Sequence, residues 1–209
     1  MLIEQPPLWY RKLFPGALFR MEDKDKKPGK LYLTFDDGPI PEVTPWVLDV
    51  LDKWDIKATF FVVGQNVERY PELLREIKLN GHKVGNHTFH HLKGITTKRN
   101  VYLKDVEKCE KLTGAGLFRP PHGFVSYGKL KALSERYQIV MYDVITRDYS
   151  RKLSWEEIVA NVKRYTRNGS IIVFHDSLKS FPRLKKSLPL CLEWLKEKGF
   201  EFSTIPEKG

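Results

Sequence analysis

The feature that most limits the fold of this chain is the order of its apolar runs. From Lys30 onward, short β-branched and aromatic stretches alternate with segments that place apolar residues every three or four positions. Leu31-Tyr32-Leu33-Thr34-Phe35 runs into the turn former Asp36-Asp37-Gly38-Pro39, and further strands are expected over 58–63, 83–86, 116–119, 138–144, 170–174 and 200–204. Between them lie expected helices. One starts with Thr44 as N-cap and Pro45 as first helical residue. Others cover 71–80 (closed by Gly81), 100–113 (before Gly114) and 126–137. Ser154-Trp155-Glu156-Glu157 has the form of a capping box opening a helix that stops at Asn168-Gly169, and 181–198 reads as helical with a kink or break at Pro189. About seven strand–helix units imply an α/β fold with a parallel sheet, open or closed into a barrel.

Composition narrows the function classes. At 209 residues, with 41% hydrophobic and 30% charged side chains, the chain has the size and balance of one globular domain. Residues 1–29 read as an arm, its basic and aromatic stretch Trp9-Tyr10-Arg11-Lys12-Leu13-Phe14 followed by a charged connector over 21–29; residues 30–209 form the domain proper. The arm is expected to pack over one end of the domain, with peripheral contact to a membrane surface as the other use of its aromatics and cations. No run of 18 apolar residues occurs, and the first residues lack the basic start and apolar stretch of a signal peptide. The expectation is a cytoplasmic protein, at the cytoplasmic face of the membrane if the arm engages lipid. Cys109 and Cys191 are far apart and form no CxxC pair, so they read as buried free thiols.

The polar residues that stand out fall at the carboxyl ends of the expected strands: Asp36 and Asp37, then His87, His90 and His91, then Arg119, and finally His175-Asp176. In parallel α/β sheets those ends converge on one face, where sites are built. His87 and His91, four apart, share a face if the segment makes a helical turn, and two histidines with one carboxylate make a three-ligand metal set with an open position. One of the adjacent Asp36 and Asp37 can then ligate while its neighbour reaches a metal-activated water. His175 suits proton donation to a leaving amine, and Arg119 suits holding the base carboxylate. His90 competes as a ligand, whereas His82 reads as structural.

These segments also resemble a family. Thr34-Phe35-Asp36-Asp37-Gly38-Pro39, His87-Thr88-Phe89-His90-His91, Arg119-Pro120-Pro121-His122-Gly123 and Ile171-Ile172-Val173-Phe174-His175-Asp176 look like the successive motifs of the polysaccharide deacetylases, carbohydrate esterase family 4. The resemblance covers about residues 30 to 205. It implies a distorted, incomplete (β/α) barrel of about seven parallel strands and metal-dependent hydrolysis of N-acetyl groups on amino sugars. Asp36 is then similar to the general base, Asp37, His87 and His91 to the metal ligands, Arg119 to the group orienting Asp36, and His175 to the acid. A backbone N–H near His122 would stabilise the oxyanion, and Val173 would wall the acetyl pocket.

Two positions depart from the pattern. The family's fourth motif, roughly DxxDW, matches Ile145-Thr146-Arg147-Asp148-Tyr149, with Ile145 in place of the acid that tunes the histidine; Asp143 or Asp148 is expected to substitute. His122 stands where an aromatic Tyr or Trp is usual. The expected cofactor is one divalent ion, zinc first, with cobalt, nickel or iron suited to the same donors.

The expected substrate is an N-acetylated saccharide or glycoconjugate that gives up acetate. The alternatives are deformylation or deacylation of a lipid-linked amino sugar, and a catalytically inactive relative that binds a saccharide or an anionic polymer. Sugar, linkage, chain length and oligomeric state have no signal in the sequence. The net charge of +10 invites nucleic acid as a partner, but it is spread along the chain and no nucleic-acid motif occurs. Binding to duplex DNA, followed by fluorescence anisotropy, is accordingly expected to be weak and to collapse between about 50 and 200 mM salt.

Overall fold

A strand apolar on both faces must be covered on both sides, and the central strand of the fold meets that condition. In the computed structural model, which describes residues 4–22 and 29–207, strand β1 (Lys30–Asp36) is buried from its second residue to its last. Elements are numbered in chain order. Seven strands pair in parallel in the order β5 (Gln138–Ile139), β4 (Leu117–Phe118), β3 (Lys83–Asn86), β2 (Thr59–Val62), β1, β7 (Ile171–His175) and β6 (Val144–Ile145). A short β8 (Glu201–Phe202) pairs with Lys30 and Leu31 at the start of β1. The sheet curls into the incomplete barrel that the strand–helix alternation and the motifs imply.

Period-two alternation sorts β1 into two environments. Leu31, Leu33 and Phe35 face the helices, where Phe35 stacks between Phe60 and Phe174 at ring-centroid separations of 5.1 and 6.0 Å. Helices α2 (Thr44–Lys53), α4 (Pro71–Leu79), α7 (Trp155–Tyr165) and α8 (Phe181–Glu197) close this side with apolar stripes such as Val47/Leu51 and Leu184/Leu188/Leu192. Tyr32, Thr34 and Asp36 face the other way. Tyr32 joins Phe61, Leu117, Val140 and Ile171 in a separate apolar cluster. A third cluster around Phe118 and Ile139 is covered by α5 (Arg99–Thr113), α6 (Tyr127–Ser134) and the arm, whose helix α1 (Leu8–Arg11) and following turn bury Tyr10, Phe14 and Phe19. The described part of the arm thus packs against this cluster. Its connector over 23–28, and residues 1–3, lie outside the described residues.

Several local expectations change. The single strand expected over 138–144 is two strands at opposite ends of the sheet. Val140 bridges Leu18 of the arm, and the carbonyls of Val140 and Met141 accept from Arg119, so the segment crosses between edges. Thr44 is the first helical residue, not the N-cap. Its hydroxyl accepts from Ile40 N–H and donates to Asp176. Helix α8 runs unbroken through Pro189, held by its buried apolar stripe, and α6 stops at Ser134. Helix α3 (Gly64–Arg69) was not foreseen. It starts at a glycine because a Cβ there would sit 2.6 Å from the Phe89 ring. The capping box at Ser154 forms with both hydrogen bonds, and both cysteines are buried and free. No helix among the described residues is long and apolar enough to cross a membrane.

Replacing Phe35 with Ala would empty the middle of the stacked ring set. The expected cost is about 3–5 kcal/mol, read as a lowered midpoint of denaturant unfolding followed by circular dichroism.

Candidate active site

The carboxyl ends of β1, β3, β4 and β7 open into one cavity of about 320 Å³ whose lining includes Asp36, Asp37, His87, His91, Arg119 and His175. At the end of β1 the chain must turn so that neighbouring aspartates point to different tasks. Asp37 does this with a left-handed φ of 84°. The turn that follows is held from three sides. Gly38 N–H donates to Asp176 Oδ1 at 3.0 Å, Gly38 O accepts from Val63 N–H, and Asn66 Nδ2 donates to Asp37 O at 2.8 Å. Gly38 tolerates no side chain, since a Cβ would lie 2.0 Å from Asp176 Oδ2. Burial pushes the Asp176 carboxyl up to about 8.

Asp36 is buried and paired. Arg119 Nη1 donates to Asp36 Oδ1 at 2.6 Å and to Thr34 Oγ1 at 2.7 Å, Nη2 donates to Met141 O at 2.9 Å, and the guanidinium lies over Phe61 at 4.1 Å. This leaves Asp36 Oδ2 facing the histidines, 4.0 Å from His87 Nε2.

Asp37, His87 and His91 each bring a ligand atom to within 4.8 Å of the others. Asp37 Oδ1 lies 3.2 Å from His91 Nε2 and 3.8 Å from His87 Nε2. Ligands at about 2.0–2.1 Å from a tetrahedral zinc stand about 3.4 Å apart, so the set matches the size of one such ion. His87 Nδ1 pairs with the Arg119 carbonyl at 2.8 Å, which places its proton there and leaves the Nε2 lone pair toward Asp37. Burial also pushes His87 down to about 4, so the ring stays neutral at pH 7. Burial works against ionisation of Asp37, but the hydrogen bond from His91 and the surrounding imidazoles outweigh it and hold the carboxyl well below the usual range.

The two candidate ligand histidines do not share a helical turn. Thr88 and His91 take φ of 65° and 54°, and the loop is held by buried Asp105 of α5, which accepts from Phe89 N–H at 2.8 Å and His90 N–H at 2.9 Å. The imidazoles converge all the same, at 5.1 Å between centroids. His90 points to Asp105 and so is outside the ligand cluster. His82 accepts the Ala58 N–H beneath β2 and stays a buried structural group.

On the opposite wall, His175 Nδ1 pairs with Asp148 Oδ1 at 2.7 Å, and Asp148 Oδ2 accepts the His175 N–H at 2.9 Å. Burial works to lower this imidazole, but the charge and hydrogen bond of Asp148, joined by the Asp37 and Asp36 carboxylates, outweigh it and push it up to about 9. Asp143 is not an alternative partner. Fully buried, it accepts from Arg11, Arg167 and Ser170, which turns it away from His175 and toward the arm. Tyr142, Ile145, Val173 and Tyr149 form an apolar cluster lining the cavity, with Ile145 where the motif pattern has an acid. His122, at φ 61°, stands exposed at the rim with its ring 4.7 Å from that of His91.

Asp105, Asn66 and Thr44 have no signal in spacing or motif, because each acts from a different element: the first two on backbone groups of the site, Thr44 on the Asp176 carboxylate. Asp176 was visible only as a strand-end acid.

Comparison with known proteins agrees with this geometry. The family model described as polysaccharide deacetylase matches residues 23–138. A peptidoglycan-N-acetylglucosamine deacetylase of Bacillus cereus is 33% identical over 183 residues, covering 84% of this chain and 85% of that protein. A chitooligosaccharide deacetylase of Azorhizobium caulinodans is 36% identical over 154 residues, 70% of this chain and 73% of the relative. The crystal structure of the Bc1960 peptidoglycan N-acetylglucosamine deacetylase superposes with a TM-score of 0.80 at 30% identity, over 96% of this chain and 95% of that one. Matched in sequence over more than half its length and in backbone over nearly all of it, this chain belongs to the polysaccharide deacetylase family.

Proposed function

We propose that this protein hydrolyses the N-acetyl group of an amino sugar with the help of one divalent cation held by Asp37, His87 and His91. The observation that carries the reading is the joint placement of that ligand set, the clamped carboxylate of Asp36 and the Asp148-paired His175 around one cavity. A neutral His87 and an ionised Asp37 are the protonation states that ligation requires. When bound, the cation would supply Lewis acidity, lowering the pKa of water and polarising the acetyl carbonyl.

The chain's own groups divide the rest of the work. Arg119 occupies Oδ1 of Asp36, so Oδ2 is the oxygen free to take a proton from the attacking water. The new C–O bond forms at the acetyl carbonyl carbon, and the backbone N–H near His122 is assigned to the developing oxyanion. His175, protonated at pH 7, gives its Nε2 proton to the sugar nitrogen as the C–N bond breaks, so acetate and a free amine leave. The methyl sits against Val173, Ile145 and Tyr142, a wall that favours acetyl over charged acyl groups. An inactive, binding-only relative would not need the base, acid and ligand positions all filled.

The relatives named above act on peptidoglycan or chitooligosaccharides, which makes a polymer or oligomer of N-acetylglucosamine the first substrate class to test. Deformylation or deacylation of a lipid-linked amino sugar is a second reading. It is supported by Leu8, Trp9 and Leu13, which are 77%, 62% and 53% exposed on the arm, where they suit contact with a membrane surface.

Acetate release should be measured on peptidoglycan fragments, chitooligosaccharides and lipid-linked amino sugars. Chelation is expected to abolish it and zinc, cobalt, nickel or iron to restore it, while Asp36→Asn should lower kcat by at least about 100-fold. A mutant as fast as the parent would remove Asp36 from its role. The acid's protonation gives a second check: activity requires charged His175, so kcat falls as pH rises through its pKa. Asp148→Asn removes the main group raising that value, and the alkaline limb of the kcat profile is expected to move to lower pH. Asp143→Asn should leave that limb in place.

A further inference from the structure

We propose that Tyr10 of the N-terminal arm is a positioning residue for the deacetylation site, holding the loop that carries His122. The proposal rests on the reading given under Proposed function. Helix α1 turns Leu8 and Trp9 outward and buries Tyr10, whose hydroxyl donates to the carbonyl of Gly123. Burial beside Tyr142 raises the phenol well above its ordinary value, so it keeps the proton it donates.

The loop needs such support. His122 and Gly123 are consecutive left-handed residues, with φ of 61° and 74°, inside the 3-10 turn Pro121–Gly123. For a histidine that backbone region is disfavoured, and it persists only where surroundings enforce it. Within the loop, Gly123 N–H donates to Pro120 O at 3.2 Å, a bond at the weak end of the usual range. The hydroxyl of Tyr10 adds a bond to the Gly123 carbonyl across 113 residues of sequence.

The same ring touches the second wall of the cavity. Its centroid lies 5.3 Å from Phe124, just beyond the loop, and 6.4 Å from Tyr142. Tyr10 is itself fixed on both sides. Arg11 Nη2 donates to buried Asp143 at 2.6 Å, and Leu18 pairs with the next segment through Leu18 N–H to Ile139 O at 2.9 Å and Met141 N–H to Leu18 O at 2.7 Å. One arm side chain therefore spans from the His122–Gly123 loop to the wall that meets the acetyl methyl. A role in packing alone would use the ring and leave the hydroxyl idle.

The test is Tyr10→Phe in the full chain, which keeps the ring and removes the donor. Amide hydrogen exchange over residues 121–125 is expected to accelerate about tenfold, with the thermal midpoint and zinc stoichiometry unchanged. On the best substrate of the panel, kcat should fall about tenfold with KM within twofold, less than the roughly 100-fold lost when an oxyanion donor is removed outright. A tetrahedral methylphosphonamidate analogue should lose affinity in step with kcat/KM, and acetate should not. Arg75→Ala, exposed on α4 and in neither the arm nor the cavity, should match the parent throughout. Unchanged exchange over 121–125 in Tyr10→Phe overturns the proposal, as does a kcat within twofold of an active parent. A parent that releases acetate from no substrate, with the exchange acceleration present, counts against the deacetylase reading and leaves the hold on the loop standing.

Discussion

The ion pair between Arg119 and Asp36 is the constraint on which the site and the barrel both depend. Its two side chains are almost wholly buried, a state in which breaking the pair leaves an uncompensated charge and costs several kcal/mol. The chain meets this demand by giving the guanidinium a full set of acceptors: Thr34 on β1, Asp36, and the Val140 and Met141 carbonyls, with Phe61 beneath. Those acceptors come from β1 and from the crossing segment after β5, about a hundred residues apart in sequence. One cation therefore fixes where β1 ends, how the segment after β5 crosses, and which oxygen of Asp36 remains free. The carbonyl of Arg119 extends the same anchor to His87, setting the tautomer of a candidate ligand.

Around that anchor, two histidines on one face are driven in opposite directions by their surroundings. His87 is buried against a backbone carbonyl and drops to about 4, whereas His175, also buried, is bound to the Asp148 carboxylate and rises to about 9. Separation of this kind lets one cavity hold a neutral donor suited to a metal and a charged donor suited to a leaving amine at a single pH.

Much of this was legible in the sequence, because the signals are local. Strand signals marked the sheet except at β5 and β6, which read as one strand, and the turn Asp36-Asp37-Gly38-Pro39 marked where β1 delivers its carboxylates. The residues that were missed act at long range. Nothing near Asp105 says that it will hold the 88–91 loop from α5, and nothing in Asp143 distinguished pairing with His175 from capture by Arg11 and Arg167. The strand expected over 138–144 failed for the same reason. Its residues have strand character, but the acceptors needed by Arg119 and the approach of the arm decide which of them can pair.

The strip around Leu18 carries a lesson for where the unit is cut. It seats its backbone between Ile139 and Met141 at one rim of the curled sheet, and Arg20 bridges Ser170 further along. The stretch matched by the family model begins at residue 23. A fragment trimmed to that boundary would strip the covering from this rim, leaving a carbonyl and an amide unsatisfied beside apolar Ile139, Val140 and Met141. Bare rims of that type recruit foreign chains, so the excised piece would be prone to self-association.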